Sequence, residues 1–189
     1  MIMHQKKRPS GRERKANHWM DSAAIRRMVV TALLFAVALV LTVVEYQLPI
    51  PMPAPGIKLG LSNIVVMYSL FFLKKRDAFT LAVLKSFFVF LTQGAVAAFL
   101  SLCGGLLSLV MMLLCMAIFQ NRISYLMISI VGAIFHNTGQ IAAASLLYTN
   151  LVMWSYFPVL LVSGVIAGMA TSTLLRITLP ALKRLNLKS

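Results

Sequence analysis

The sequence predicts an all-α integral membrane protein of about six transmembrane helices, with both termini in the cytoplasm. Three observations lead there. Of 189 residues, 60% are hydrophobic and the mean hydropathy is +0.87, more apolar side chain than a soluble domain of this length can hide, whereas a bilayer takes it readily. Apolar runs recur at lengths near the roughly 20 residues that cross a bilayer. Between those runs, the basic residues fall on one side of the implied membrane.

Taken in order, residues 1–24 form a basic tail, polar through about Asn17 and expected to be disordered. A membrane domain follows over residues 25–182, and residues 183–189 form a short basic tail. The apolar runs are Met28–Val44, Leu59–Leu73, Ala78–Phe99, Leu106–Phe119, Tyr125–Tyr148 and Phe157–Leu179. The third and fourth are almost one block, broken mainly by Gln93 and Gly104-Gly105, and a tight turn near Ser101–Gly105 is the simplest way to divide it. With the N-terminus inside, the inside segments 1–27, 74–77, 120–124 and 176–189 hold sixteen of the eighteen basic residues, leaving Lys58 outside and Lys85 within a run. That is the positive-inside pattern, and an odd number of spans would break it. The location it implies is a membrane spanned several times, with the basic segments on its cytoplasmic face.

A net charge of +14 often points to nucleic acid, but here the placement of the charge assigns it to membrane orientation and contact with anionic lipid. Cys103 and Cys115 lie in apolar surroundings and read as packing residues. The first run has no small-residue cleavage site after it, so it is read as retained. The chain has no G-x-x-x-x-G-K-[ST], H-E-x-x-H, G-x-S-x-G or C-x-x-C motif. Its four acids, Glu13, Asp21, Glu45 and Asp77, are too scattered to hold magnesium on a diphosphate. Catalysis by the chain alone is therefore not expected, nor is a cofactor or a metal site.

The polar residues inside or beside the runs are the candidate site. In LPIPMPAPGIKLG, Pro49, Pro51, Pro53 and Pro55 make a stiff, extended outside segment, either a rigid connector or a cover over a ligand. Glu45, at the outer end of the first run, is an interface anchor or a site residue. Lys85 lies eight residues, about 12 Å, beyond Asp77. It either snorkels toward the cytoplasm or faces a polar cavity that would favour an anion, and Gln93 falls near the same face. His136 and Gln140 share a helix face, with Asn137 adjacent, and could serve as polar glue between helices or as ligand contacts. One histidine with no acidic or thiolate partner makes a poor metal set. Small residues recur through the runs, and Gly164 and Gly168 form a G-x-x-x-G spacing that permits close helix approach.

Four segments carry a family resemblance: Glu45 with the proline-spaced stretch and GIKLGLSN (Gly56–Asn63), SLCGGLLSLVMM (Ser101–Met112), GAIFHNTGQ (Gly132–Gln140) and YFPVLLVSGVIAG (Tyr156–Gly168). Over about Ile25–Leu179 the chain resembles the bacterial family labelled both Gx transporter and heptaprenyl diphosphate synthase component I. The first label implies a substrate-binding membrane subunit similar to those of energy-coupling factor transporters, working with a coupling membrane protein and separate ATPases. Under that resemblance Ala32 and Ala36, with Ala38 nearby, would pack on the coupling protein. The second label implies an accessory partner of a soluble, aspartate-rich prenyl synthase that makes the menaquinone side chain. Under the transporter reading, Glu45, Lys58, Asn63, Lys85, Gln93, His136, Asn137 and Gln140 are the expected substrate contacts for a small anionic or amphipathic molecule.

Overall fold

The computed structural model describes residues 11–47, 60–119, 123–149 and 151–183, and every regular element among them is helical. Helix α1 spans Gly11–Gln47, α2 Asn63–Phe72, α3 Lys75–Gln93, α4 Ala95–Phe119, α5 Tyr125–Tyr148 and α6 Phe157–Lys183, with a 3₁₀ turn at Leu151–Tyr156 before α6. Six helices thus stand where six runs are read. Among the described residues, four segments are long and apolar enough to cross a membrane: Ala24–Gln47, Ala95–Phe119, Tyr125–Tyr148 and Val152–Thr173. The other two differ for separate reasons. With ten residues, α2 is only about 15 Å long. The nineteen residues of α3 include Lys75, Arg76, Asp77 and Lys85.

Helix α1 starts at Gly11, inside the stretch read as a disordered tail. The sequence has no proline between Pro9 and Pro49, and Gly11–Ala16 is mostly strong helix formers (Arg, Glu, Lys, Ala), so helix propagates back from the apolar segment. From Ala24 onward α1 buries one narrow stripe, Ala38, Thr42 and Glu45, against α2 and α3, while Ala32, Ala36, Leu33 and Val40 stay exposed. In contrast, α2 is buried on every side from Val65 to Leu70. It fills the middle of the bundle and contacts α1, α3, α4 and α5. At the start of α3 the Asp77 carboxylate accepts the Lys74 N–H at 3.1 Å, which puts negative charge at a helix N-terminus, and lies 3.5 Å from the Arg27 guanidinium.

The division between the third and fourth helices is at Gly94 and not at Ser101–Gly105. Gly94 has φ +88°, and a Cβ there would meet nothing within 4 Å, so its role is the left-handed backbone that stops α3 and starts α4 one residue later. Gly104 and Gly105 lie inside α4. They are small because other helices come close, not because the chain turns. A Cβ on Gly139 of α5 would lie 2.9 Å from Gly104 Cα and 3.0 Å from the Cys103 carbonyl oxygen. The G-x-x-x-G pair of α6 is likewise used within the chain: Gly164 packs on the backbone of Ile134, and a Cβ on Gly168 would meet Ile130 Cα at 2.6 Å.

Contacts along the helices fix their directions. Arg27 and Ala38 of α1 meet Asp77 and Leu81 of α3 in that order, so these two run parallel, with α2 returning between them. The Phe71–Tyr125 ring pair joins the end of α2 to the start of α5. Gly132 of α5 faces Met112 of α4, and Gly139 faces Gly104; Asn137 bonds Leu160 of α6, and Ile130 faces Gly168. Successive helices are therefore antiparallel, and the beginning of α1 and the end of α6 lie on the same side of the bundle. Four buried hydroxyls are satisfied by their own helices: Thr42, Ser86, Ser129 and Thr171 each donate to the carbonyl four residues back.

Candidate functional site

Halfway along the bundle, side chains and backbone from several elements converge on His136. The residue lies eleven positions into α5, about 17 Å from its start, and is almost wholly buried. Its ring is held between two glycines. A Cβ on Gly60 would lie 2.5 Å from His136 Cδ2, and one on Gly104 would lie 3.1 Å from Cε1 and 2.7 Å from the His136 carbonyl oxygen. Gly60 has φ +83°, so both its backbone and its neighbour require glycine. One turn on, Gln140 Nε2 is 3.1 Å from His136 Nε2.

On its other side, the Gly60 N–H donates to a carboxylate oxygen of Glu45. Glu45 is buried, two turns beyond Ala38, which packs with Val65 and Leu81. Lys85 is 2% exposed and sits one turn beyond Leu81 on the parallel helix α3. Glu45 and Lys85 therefore lie on the same side of the Ala38–Val65–Leu81 cluster, opposite in charge. Gly60 is followed by a turn in which its carbonyl accepts the Asn63 N–H at 2.8 Å, and α2 begins there. Asn63 donates to Ser108 Oγ of α4 at 2.8 Å, while its Oδ1 has no partner among the described residues. Asn63 and Gly60 also line a cavity with room for about one water, walled by Met67, Met112, Gly132, Ala133, Ala167 and Thr171.

The expected contacts divide accordingly. Glu45, Asn63, His136 and Gln140 are drawn together around Gly60 and Gly104, and Lys85 reaches the same level. Asn137 is turned away: its Nδ2 donates to the Leu160 carbonyl at 2.9 Å and lies 3.5 Å from Ser163 Oγ, tying α5 to α6. Gln93 ends α3, half buried, with Oε1 unpartnered among the described residues. Lys58 and the four prolines lie outside the described residues. Sequence reading missed Gly60, Ser108 and the use of Gly104 against His136. A signal was present, since Ser101, Gly104, Gly105 and Ser108 recur at the 3–4 residue spacing of one helix face. Among the described residues, no three His, Cys, Asp or Glu side chains converge as a metal site would require.

Fold and site define a class: among the described residues, an all-helical bundle with four helices fit to cross a membrane and a buried polar cluster. Residues 34–178 match the family described as heptaprenyl diphosphate synthase component I, and the chain belongs to that family. No curated protein and no solved structure matches it.

Proposed function

We propose that the protein is a membrane-embedded substrate-binding subunit for a small anionic or amphipathic molecule, with six helices in the bacterial cytoplasmic membrane and both termini in the cytoplasm. The observation that carries this reading is the cluster itself. Lys85, His136, Gln140, Asn63 and Glu45 are buried among apolar helices, where polar groups are costly and usually mark a ligand path. Orientation follows the positive-inside pattern, and the start of α1 on the same side as the end of α6 supports it. The exposed alanines 32 and 36 on α1 would meet a coupling membrane protein served by ATPases.

The test is purification of the tagged chain from its own membranes in mild detergent, with mass spectrometry of bound proteins and small molecules. A coupling protein with ATPases, and a retained ligand lost from Lys85→Met and His136→Leu variants that still fold, is the expected result. Variants that retain the ligand as the parent does would sink the site assignment.

The family match favours a second reading, an accessory subunit of heptaprenyl diphosphate synthesis. It predicts recovery of a soluble, aspartate-rich prenyl synthase without ATPases. It also predicts elongation of prenyl diphosphate only when membranes holding this chain are combined with that partner.

A further inference from the structure

The turn that leads into α2 is built like an anion site, and the Glu45 carboxylate is bound at its start. The Gly60 backbone, held at φ +83°, aims its N–H at Glu45, and the ten-residue helix that follows adds the positive end of its dipole. A second observation points to a ligand there. Asn63 is the first residue of α2, 6% exposed, and lines with Gly60 the same small cavity, yet its Oδ1 has no partner among the described residues. A buried amide oxygen left unpaired is costly unless another molecule supplies a donor. Beyond it the wall is mostly apolar and adaptable, with Met67 and Met112 on two helices, and its two hydroxyls, Ser129 and Thr171, donate to their own helices.

Resting on the substrate-binding reading above, we propose that this turn is a carboxylate seat in which Glu45 stands in for the ligand. An incoming carboxylate takes the Gly60 N–H from Glu45, a hydroxyl or N–H on the same molecule donates to Asn63 Oδ1, and its apolar body parts the two methionines. The substrate class is then a small carboxylic acid that carries a hydrogen-bond donor and an apolar portion.

The experiment is chemical rescue on the full chain in detergent, reading melting temperature in sodium chloride or sodium acetate at equal ionic strength and pH. The parent, with its seat filled, melts alike in both salts. Glu45→Ala melts at least about 3 °C lower in chloride and recovers in acetate. Glu45→Gln, which keeps the side chain's shape, is also stabilised by acetate. Lactate, which adds a hydroxyl, acts on Glu45→Ala at about a tenfold lower concentration than propionate. Two outcomes overturn the seat: acetate and chloride indistinguishable on both variants, or acetate raising the parent as much as the variants. Equal potency of lactate and propionate overturns the role of Asn63. The substrate-binding reading fails separately, on ligand retained by the Lys85 and His136 variants.

Discussion

Helices α4, α5 and α6 meet through glycines, backbone against backbone, whereas α1, α2 and α3 meet through side chains and carry Glu45, Asn63 and Lys85 of the site. Half of the membrane-length window of α5 is buried, against 17% of that of α1. Close approach in the first group leaves little room for adjustment. In the second, α1 holds on by one stripe, while the short α2 sits buried in the middle of the bundle between the Gly60 turn at one end and Leu73 at the other. The contrast separates two jobs in one small bundle: a fixed wall that positions His136 and Gln140, and a lighter assembly that brings Glu45, Asn63 and Lys85 up to it.

The comparison is broken most severely by attacking the wall. Gly139→Leu forces a side chain into the Gly104 backbone, a cost of roughly 3 kcal/mol or more. It should abolish a monodisperse peak on size-exclusion chromatography in detergent, and a variant that elutes and melts as the parent does would refute the tight packing of α4 on α5. Gly60→Ala is expected to be milder, about 2 kcal/mol, from left-handed backbone and the His136 ring together. Because it lies at the joint between the two groups, it should weaken ligand retention more than its loss of melting temperature accounts for. The smallest effect belongs to Arg27→Ala at the edge of the lighter group. Its ion pair with Asp77 is partly exposed, so the change should be at most about 0.5 kcal/mol. A large destabilisation would mean that α1 is held more firmly than its single buried stripe implies.

Much of this was legible in the sequence, and the reasons are physical. Apolar runs report helices in a bilayer directly, because burial from water is needed along their whole length. For that reason the six helices were readable, although the shortness of α2 was not: an apolar run does not say where its backbone becomes helical, and Gly60 delays the start to Asn63. Polar side chains deep in such runs are costly, so Lys85, His136 and Gln140 stood out. Glycine was ambiguous. Gly94 and Gly104 are the same residue in similar surroundings, yet one bends the chain through its φ and the other admits a neighbouring helix, and only the partner in space distinguishes them. The same limit hid the division between His136 and Asn137. A step of one residue along a helix turns the side chain by about 100°, enough to send one toward α4 and the other toward α6.

The single-residue joint at Gly94 bears on how the chain enters its membrane. A lysine at the centre of a span opposes insertion by about 3 kcal/mol, and α3 has three further charges at its start. Its apolar neighbour α4 begins one residue after the joint, too close for the two to be handled apart. Were α3 to cross the membrane, it would have to enter with α4 as one hairpin, the apolar arm carrying the charged one. Lengthening the joint with a flexible linker would uncouple them and leave Lys85 stranded at the surface during synthesis.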